Sequence, residues 1–156
     1  MTKEKKQAYS LRVAQANQSE LTVITFEMFL DYINDACNCH DMNSEKEYKE
    51  YINKARAVLT EIMAALNFEN KVSFDLIKIY EYVYSELSKM AYNADMELLG
   101  RIKGIMEKLL AAHEEVAKND KHGAVMEKSQ QLYAGLTYGK GYLNETCQGD
   151  GESWKA

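Results

Sequence analysis

Apolar residues recur every three or four positions along four stretches of the chain, a spacing that predicts four amphipathic helices. The predicted helices span residues 19–39, 45–66, 73–92 and 95–117. The second helix has the most regular apolar stripe, which contains Tyr48, Tyr51, Ile52, Ala55, Val58, Leu59, Ile62, Met63 and Leu66. Because an amphipathic helix is stabilised mainly by burying its apolar face, we expect the four helices to pack together.

Capping signals and the lack of proline favour the same four helices. Asn17 followed by Glu20 has the spacing of a capping box for the first helix, with Ser19 as an alternative cap. Ser44 and Glu47 have this spacing before the second helix. The chain contains no proline, although average usage of about 5% would give roughly eight. Since proline breaks helix interiors, its absence fits long helices with short connections.

These elements predict an all-α fold. Short connections force neighbouring helices to run antiparallel, and four helices of roughly 20 residues make an antiparallel up-down-up-down four-helix bundle. We expect the bundle domain to span residues 17–117, after a flexible N-terminal arm at residues 1–16. Residues 118–156 are expected to form a linker and a mobile tail, because five of the eight glycines lie between Gly135 and Gly151.

The first predicted helix has a wider apolar surface than one buried face requires. On a helical wheel its apolar side chains occupy about 220°, whereas a core-facing surface helix needs roughly 100°. Either the chain itself covers this helix on two sides, or part of it faces a partner. The candidate partner-binding residues are Leu21, Ile24, Phe26, Met28, Phe29 and Ile33. Among them, Ile24, Met28 and Phe29 are the preferred groove residues. Leu21 and Ile33 fit the core better.

Charge and cysteine content limit the class of partner and the compartment. The net charge is −5 and no basic stripe is present, which argues against nucleic acid. No stretch approaches the roughly 20 apolar residues of a membrane span, and the N-terminus does not resemble a signal peptide. The three cysteines, Cys37, Cys39 and Cys147, suit a reducing cytoplasm better than a disulfide framework. We therefore expect a cytoplasmic protein without membrane insertion.

Candidate chemical sites are few. Cys37, Cys39 and His40 form a metal-like cluster, but structural zinc usually needs a second pair of ligands that this sequence does not supply. His113 lies on the apolar stripe of the fourth helix and is accompanied by no nucleophile motif. We accordingly predict no metal, no cofactor and no catalytic residue. The protein is expected to work by binding another protein rather than as an enzyme.

One apolar patch stands alone in the polar tail. It contains Leu132, Tyr133, Leu136 and Tyr138. Exposed apolar patches tend to find a partner, and the nearest candidate is the protein's own groove, reached through residues 118–131. The patch is therefore a candidate lid over that groove. The alternative is that it binds a different partner or none.

Several segments together resemble the flagellar export chaperones, small cytoplasmic proteins that bind flagellin before its secretion. The segments are residues 8–9 (AY), 19–22 (SELT), 66–68 (LNF) and 75–87 (DLIKIYEYVYSEL), with Ala55, Leu59, Ala91 and Asp95. The resemblance covers about residues 8–117. The family's proline before the first helix is absent here, and residues 26–29 (FEMF) are bulkier than the family's aromatic followed by small residues.

The resemblance implies a mechanism. Such a chaperone takes the disordered C-terminal segment of flagellin as helices lying in apolar grooves, prevents premature polymerisation, and docks on the flagellar export gate. By position, Tyr9 matches the arm tyrosine that the family uses to cover the groove and to dock on the gate. An alternative from another class is a regulatory or structural bundle that self-associates through the same face, and a homodimer is compatible with either hypothesis.

Overall fold

The computed structural model describes residues 1–126, and this part of the chain is helical without a strand. Its helices are α1 (Lys3–Gln15), α2 (Gln18–Asp41), α3 (Glu45–Ala64), α4 (Lys71–Met90) and α5 (Met96–Asn119). Helices α2 to α5 correspond to the four predicted helices, and every end lies within two residues of its predicted position. The predicted all-α class is therefore confirmed for residues 1–126.

Residues 3–15, which we expected to be part of a flexible arm, form helix α1 instead. The side chain of Thr2 caps the helix by accepting a hydrogen bond from the backbone amide of Lys5 at 3.3 Å. Tyr9 is the buried residue of α1. The helix therefore lacks the repeated apolar positions from which an amphipathic helix is predicted. The expectation is corrected: α1 is ordered by packing against α2, a long-range contact.

Helix α2 lies at the centre of the bundle, because it packs most extensively on α3 and also on α5, while α3 packs on α4. The ring of Phe26 joins three of these helices. Its centroid lies 6.2 Å from that of Tyr80 in α4 and 4.9 Å from that of His113 in α5. Burial of a phenylalanine of this kind contributes about 1.5–3 kcal/mol. The core therefore depends on the aromatic face of α2.

The capping predictions have different outcomes at the two helix starts. Asn17 and Glu20 form the predicted capping box, in which each side chain accepts a hydrogen bond from the other residue's backbone amide at 2.9 Å. Ser44 precedes α3, but its side chain caps no backbone amide. Its hydroxyl instead donates to Glu47 Oε2 at 2.9 Å, so the second predicted box is wrong. The side chains of Ser44 and Glu47 thus bond to each other, whereas in a capping box each would bond to the other's backbone amide.

Candidate partner-binding face on α2

Helix α2 has two buried faces that belong to different clusters. One face lies in the main core with α3, α4 and α5. The other lies under α1 in a second cluster that joins the two helices. This second cluster contains Met1, Tyr9, Val13, Ala16, Leu21, Ile24 and Met28. The wide apolar arc of the sequence is thus explained by the first alternative, in which the chain covers α2 on two sides.

The two faces divide the predicted groove residues. Phe26, Phe29 and Ile33 are fully buried in the main core. They are inaccessible to a partner in this structure, and this includes Phe29, one of the preferred groove residues. Their i, i+3, i+7 spacing places them on one side of the helix. Ile33 lies in the core as preferred.

The remaining three candidates lie under α1. Leu21, Ile24 and Met28 follow the same i, i+3, i+7 spacing on another side of α2. Leu21 therefore belongs to this second face, in contrast to its expected place in the core. Ile24 is buried, whereas Leu21 and Met28 are partly exposed. We call Leu21, Ile24 and Met28 the covered face.

Tyr9 connects α1 to the acidic side of α2. Its hydroxyl donates to Asp31 Oδ2 at 2.6 Å, and the other carboxylate oxygen of Asp31 accepts from Lys5 Nζ. The pKa of Tyr9 is raised well above its usual value, first by burial and then by the hydrogen bond to the Asp31 carboxylate. The phenol is therefore protonated at neutral pH and remains a hydrogen-bond donor.

Two further ion pairs hold α1 on α2. The Arg12 guanidinium forms a bidentate pair with Glu27, in which Nη2 lies 3.0 Å from Oε1. The terminal amine of Met1 pairs with Asp35. The side chains of Lys5 and Arg12 are about half exposed, so each of their pairs stabilises the contact by only about 0–1 kcal/mol. The pairs of Lys5 and Arg12 are thus individually weak, whereas the Met1 amine is almost fully buried at its pair with Asp35.

The acidic partners were missed as site residues, although a sequence signal was available. Glu27, Asp31 and Asp35 recur every fourth residue, so they share one stripe of α2. The N-terminal segment supplies Lys5 and Arg12, seven residues apart and thus also on one side of a helix. The two stripes match only if the N-terminal segment is helical, whereas we expected residues 1–16 to be a flexible arm.

A cleft of about 690 Å³ continues from the covered face between α1, α2 and α5. Its floor includes Ala16, Val23 and Ile24, which are buried, and Ala117 of α5. Charged side chains from all three helices line the cleft as well. They are Arg12, Glu20, Glu27, Glu114 and Lys118. An apolar floor between charged margins suits the apolar side of an amphipathic helix.

The cysteine cluster has little metal-binding character in this fold. Cys39 is buried and its thiol lies 3.8 Å from Glu47 Oε2, while Cys37 is half-buried and His40 is exposed. Burial raises the pKa of both thiols, which disfavours the thiolate that a metal requires. Within residues 1–126 no three potential ligand residues come together. The same residues include no helix that is long and apolar enough to cross a membrane.

The predicted lid residues Leu132, Tyr133, Leu136 and Tyr138 lie outside the described residues. Residues 1–126 form a helical bundle whose central helix carries an apolar face covered by the chain's own first helix. A family model described as "Flagellar protein FliS" matches residues 1–120, and the chain belongs to this family of flagellar export chaperones. The comparison with curated proteins found no match. The family consists of chaperones rather than enzymes and acts in flagellum assembly and flagellin export.

Proposed function

We propose that this protein is a cytoplasmic chaperone that binds the disordered C-terminal segment of flagellin as helices in apolar grooves. One flagellin helix takes the place of α1 on the covered face of α2. The bound segment is then unable to polymerise prematurely, and the complex delivers flagellin to the flagellar export gate. The observation that carries this proposal is the covered face itself, an apolar side of a core helix that lies under the first helix of the chain.

Displacement of α1 is favoured because α2 contributes more apolar side chains to the contact than α1 does. Tyr9 is the buried side chain of α1, and the lysine and arginine that pair with α2, Lys5 and Arg12, are about half exposed. By contrast, α2 contributes Leu21, Ile24 and Met28 to the same cluster. A partner helix with a full apolar stripe buries more area on this face than α1 does, and buried apolar area is the main favourable term.

The position of Tyr9 links flagellin binding to gate docking in this proposal. While α1 is docked, the Tyr9 ring is buried and its hydroxyl is bonded to Asp31. If Tyr9 docks on the export gate, it becomes available only after α1 has left α2. The chaperone would then bind the gate mainly when it carries flagellin. A binding assay with the soluble part of the gate, with and without flagellin peptide, tests this order.

An antiparallel arrangement of α2 to α5 forms part of the proposal, because it determines where grooves run. Contacts at two different levels along the helices support it for α2 with α3 and for α2 with α5. On α2 and α3, Tyr32 faces Tyr51 at 6.3 Å between ring centroids, while Cys39 lies beside Glu47. For α2 and α5, the ring of Phe26 contacts that of His113, and the hydroxyl of Ser19 bonds to Asp120, which directly follows α5. In each pair, the residue numbers rise on one helix as they fall on the other.

The test is calorimetric titration of the full chain with a C-terminal peptide of flagellin from the same organism. We expect micromolar to nanomolar affinity and a negative heat-capacity change, because coupled folding buries roughly 1,000–3,000 Å². The helical signal in the far-UV circular dichroism of the mixture should exceed the sum of the signals of the protein and the peptide measured separately. Absence of heat at several temperatures, with no gain in helix, would contradict the proposal.

A matched pair of methionine substitutions locates the site. Met28→Glu places a charge on the covered face and should weaken peptide binding. Met42→Glu makes the same change at a side chain that is 78% exposed beyond the end of α2, and binding should be unchanged. Equal effects of the two substitutions would place the peptide elsewhere on the protein.

A further inference from the structure

The connection between α1 and α2 consists of two buried residues, Ala16 and Asn17. Chain from beyond α5 returns to bond with both. The backbone amide of Val125 donates to the carbonyl oxygen of Ala16 at 3.0 Å. The side-chain amide of Asn17 donates to the carbonyl oxygen of His122 at 3.3 Å. The pivot about which α1 must turn to leave α2 is therefore bonded to the opposite end of the described chain.

A carboxylate holds this returning segment in position. Asp120 Oδ2 accepts a hydrogen bond from the hydroxyl of Ser19, in the first turn of α2. Asp120 Oδ1 accepts from the backbone amide of His122 at 2.9 Å and also contacts His122 Nδ1. These bonds lower the pKa of Asp120 to about 2, with the Ser19 bond as the largest cause. The carboxylate is thus charged at neutral pH and directs the His122 carbonyl towards Asn17.

Asn17 has two separate tasks at this point. Its Oδ1 completes the capping box of α2, and its Nδ2 bonds to His122. The cap needs only an oxygen acceptor, which aspartate supplies equally well. The bond to His122 needs a donor, which only the amide supplies. Asn17 is only 5% exposed. Its oxygen caps α2 while its amide group bonds to the returning segment, so the start of α2 and that segment are held together by one side chain.

We propose that Asp120, His122 and Val125 form a clasp that fixes the α1–α2 connection and thereby sets how readily α1 opens from the covered face. Rotation of α1 away from α2 changes the direction of the Ala16 carbonyl, which breaks its bond to Val125. The clasp consequently favours the closed position and lowers the fraction of molecules whose covered face is free. That this fraction governs flagellin binding rests on the proposed function above.

Two of the three clasp residues lie beyond the part of the chain that the family model matches. The family match ends at residue 120, whereas His122 and Val125 follow it. Leu21, Ile24 and Met28 lie within the match. The inference therefore concerns residues of this chain that control access to the site and do not form it.

The experiment is amide hydrogen exchange on the full chain in the absence of flagellin. Asn17→Asp keeps the size of the side chain and the capping oxygen but removes the donor to His122. Val125→Pro removes the amide that bonds to Ala16. We expect the α1 amides around Tyr9 and Val13 to exchange about fivefold faster in each variant, as for the loss of one net hydrogen bond. Amides of α3 should keep their wild-type rates.

Asp95→Asn is the matched control, because Asp95 caps α5 through its side chain and is not part of the clasp. It should leave exchange in α1 unchanged. Unchanged α1 exchange in both clasp variants would overturn the inference. Equal acceleration in α1 and α3 would also overturn it, since that result indicates general destabilisation. Because no flagellin is present, a failed clasp leaves the proposed function untouched, and a failed peptide titration leaves the clasp untouched.

Discussion

The hydroxyl of Tyr9 donates a 2.6 Å hydrogen bond to Asp31 and thereby joins the first helix of the chain to the central one. Asp31 also pairs with Lys5, one turn earlier in α1, so a single carboxylate holds two residues of this helix. The tyrosine ring is buried at the same contact. This relationship makes the closed state of α1 sensitive to one side-chain oxygen atom.

Tyr9→Phe should loosen α1 without unfolding the bundle. The substitution removes the hydrogen bond to Asp31 and keeps the buried ring, while Lys5 still neutralises the carboxylate. Loss of a hydrogen bond to a charged group costs about 1.5–3 kcal/mol, so flagellin peptide should bind about tenfold more tightly or better. Calorimetry measures the change. Tyr82→Phe on α4, at a ring that is 49% exposed, is the control and should leave the affinity unchanged; weaker binding of Tyr9→Phe would show that α1 does not compete with the peptide.

Substitutions at the neighbouring residues Met28 and Phe29 of α2 should affect different properties, peptide affinity and stability respectively. Met28→Glu alters the covered face and should reduce peptide affinity while the melting temperature stays within a few degrees. Phe29→Ala opens a cavity in the main core, where the ring is fully buried, and should cost about 3–5 kcal/mol of stability. Thermal unfolding of both variants separates the two faces. If Met28→Glu unfolds the protein as Phe29→Ala does, Met28 is a core residue and the assignment of the covered face is wrong.

His113 predicts a pH dependence of stability. Burial lowers its pKa from the ordinary 6.5, which means that the folded state favours the neutral ring against Phe26. As the pH falls below about 6.5, the unfolded chain binds a proton that the folded chain does not, and stability decreases. Between pH 7.5 and 5.5 the wild type should therefore lose a few degrees more in melting temperature than His113→Leu, which cannot titrate.

The control for this experiment is the exposed His40. Its replacement by Gln should leave the pH dependence of the wild type in place. Melting curves of the three proteins at both pH values are compared. An identical loss in wild type and His113→Leu would show that the acid sensitivity comes from other groups.

The apolar patch of the tail leads to a prediction about affinity. If Leu132, Tyr133, Leu136 and Tyr138 compete for the apolar groove, the tethered segment acts at an effective concentration near millimolar. A chain ending at Met126 should then bind flagellin peptide several-fold more tightly than the full chain. The end point matters, because a chain ending at Asn119 would also lose the clasp residues that bond to Ala16 and Asn17.

A full-length variant provides the control for truncation. Leu132→Asp with Leu136→Asp removes the apolar character of the patch and should reproduce the tighter binding of the shorter chain. Gln131→Asp with Thr137→Asp adds the same charge at polar positions and should behave as the wild type. Equal or weaker binding by both the shorter chain and the apolar-to-charged variant would remove the lid hypothesis.

Much of the fold was predictable because the signal for an amphipathic helix is local. The apolar stripes of α3 and α4 repeat with the helix period, and short connections leave little freedom in the order of elements. The capping box of Asn17 and Glu20 was equally predictable from the sequence, since both partners lie within one turn. The burial of Phe29 in the main core was not predictable, for the opposite reason. A helical wheel shows which residues share a side, but it does not show which neighbour covers that side.

By itself, the sequence determined that α2 has too much apolar surface for one buried face, and it carried enough family-wide spacing to indicate an export chaperone. Only the tertiary structure decided which side of α2 enters the core and which lies under α1, because that choice depends on packing between helices far apart in the chain. The same holds for α1, whose polar sequence forms a docked helix through Tyr9 and its carboxylate partner. It also holds for the clasp, in which Asn17 and His122 are 105 residues apart. Hydrogen bonds at such separations leave no periodic trace in a sequence and arise only once the intervening helices have packed.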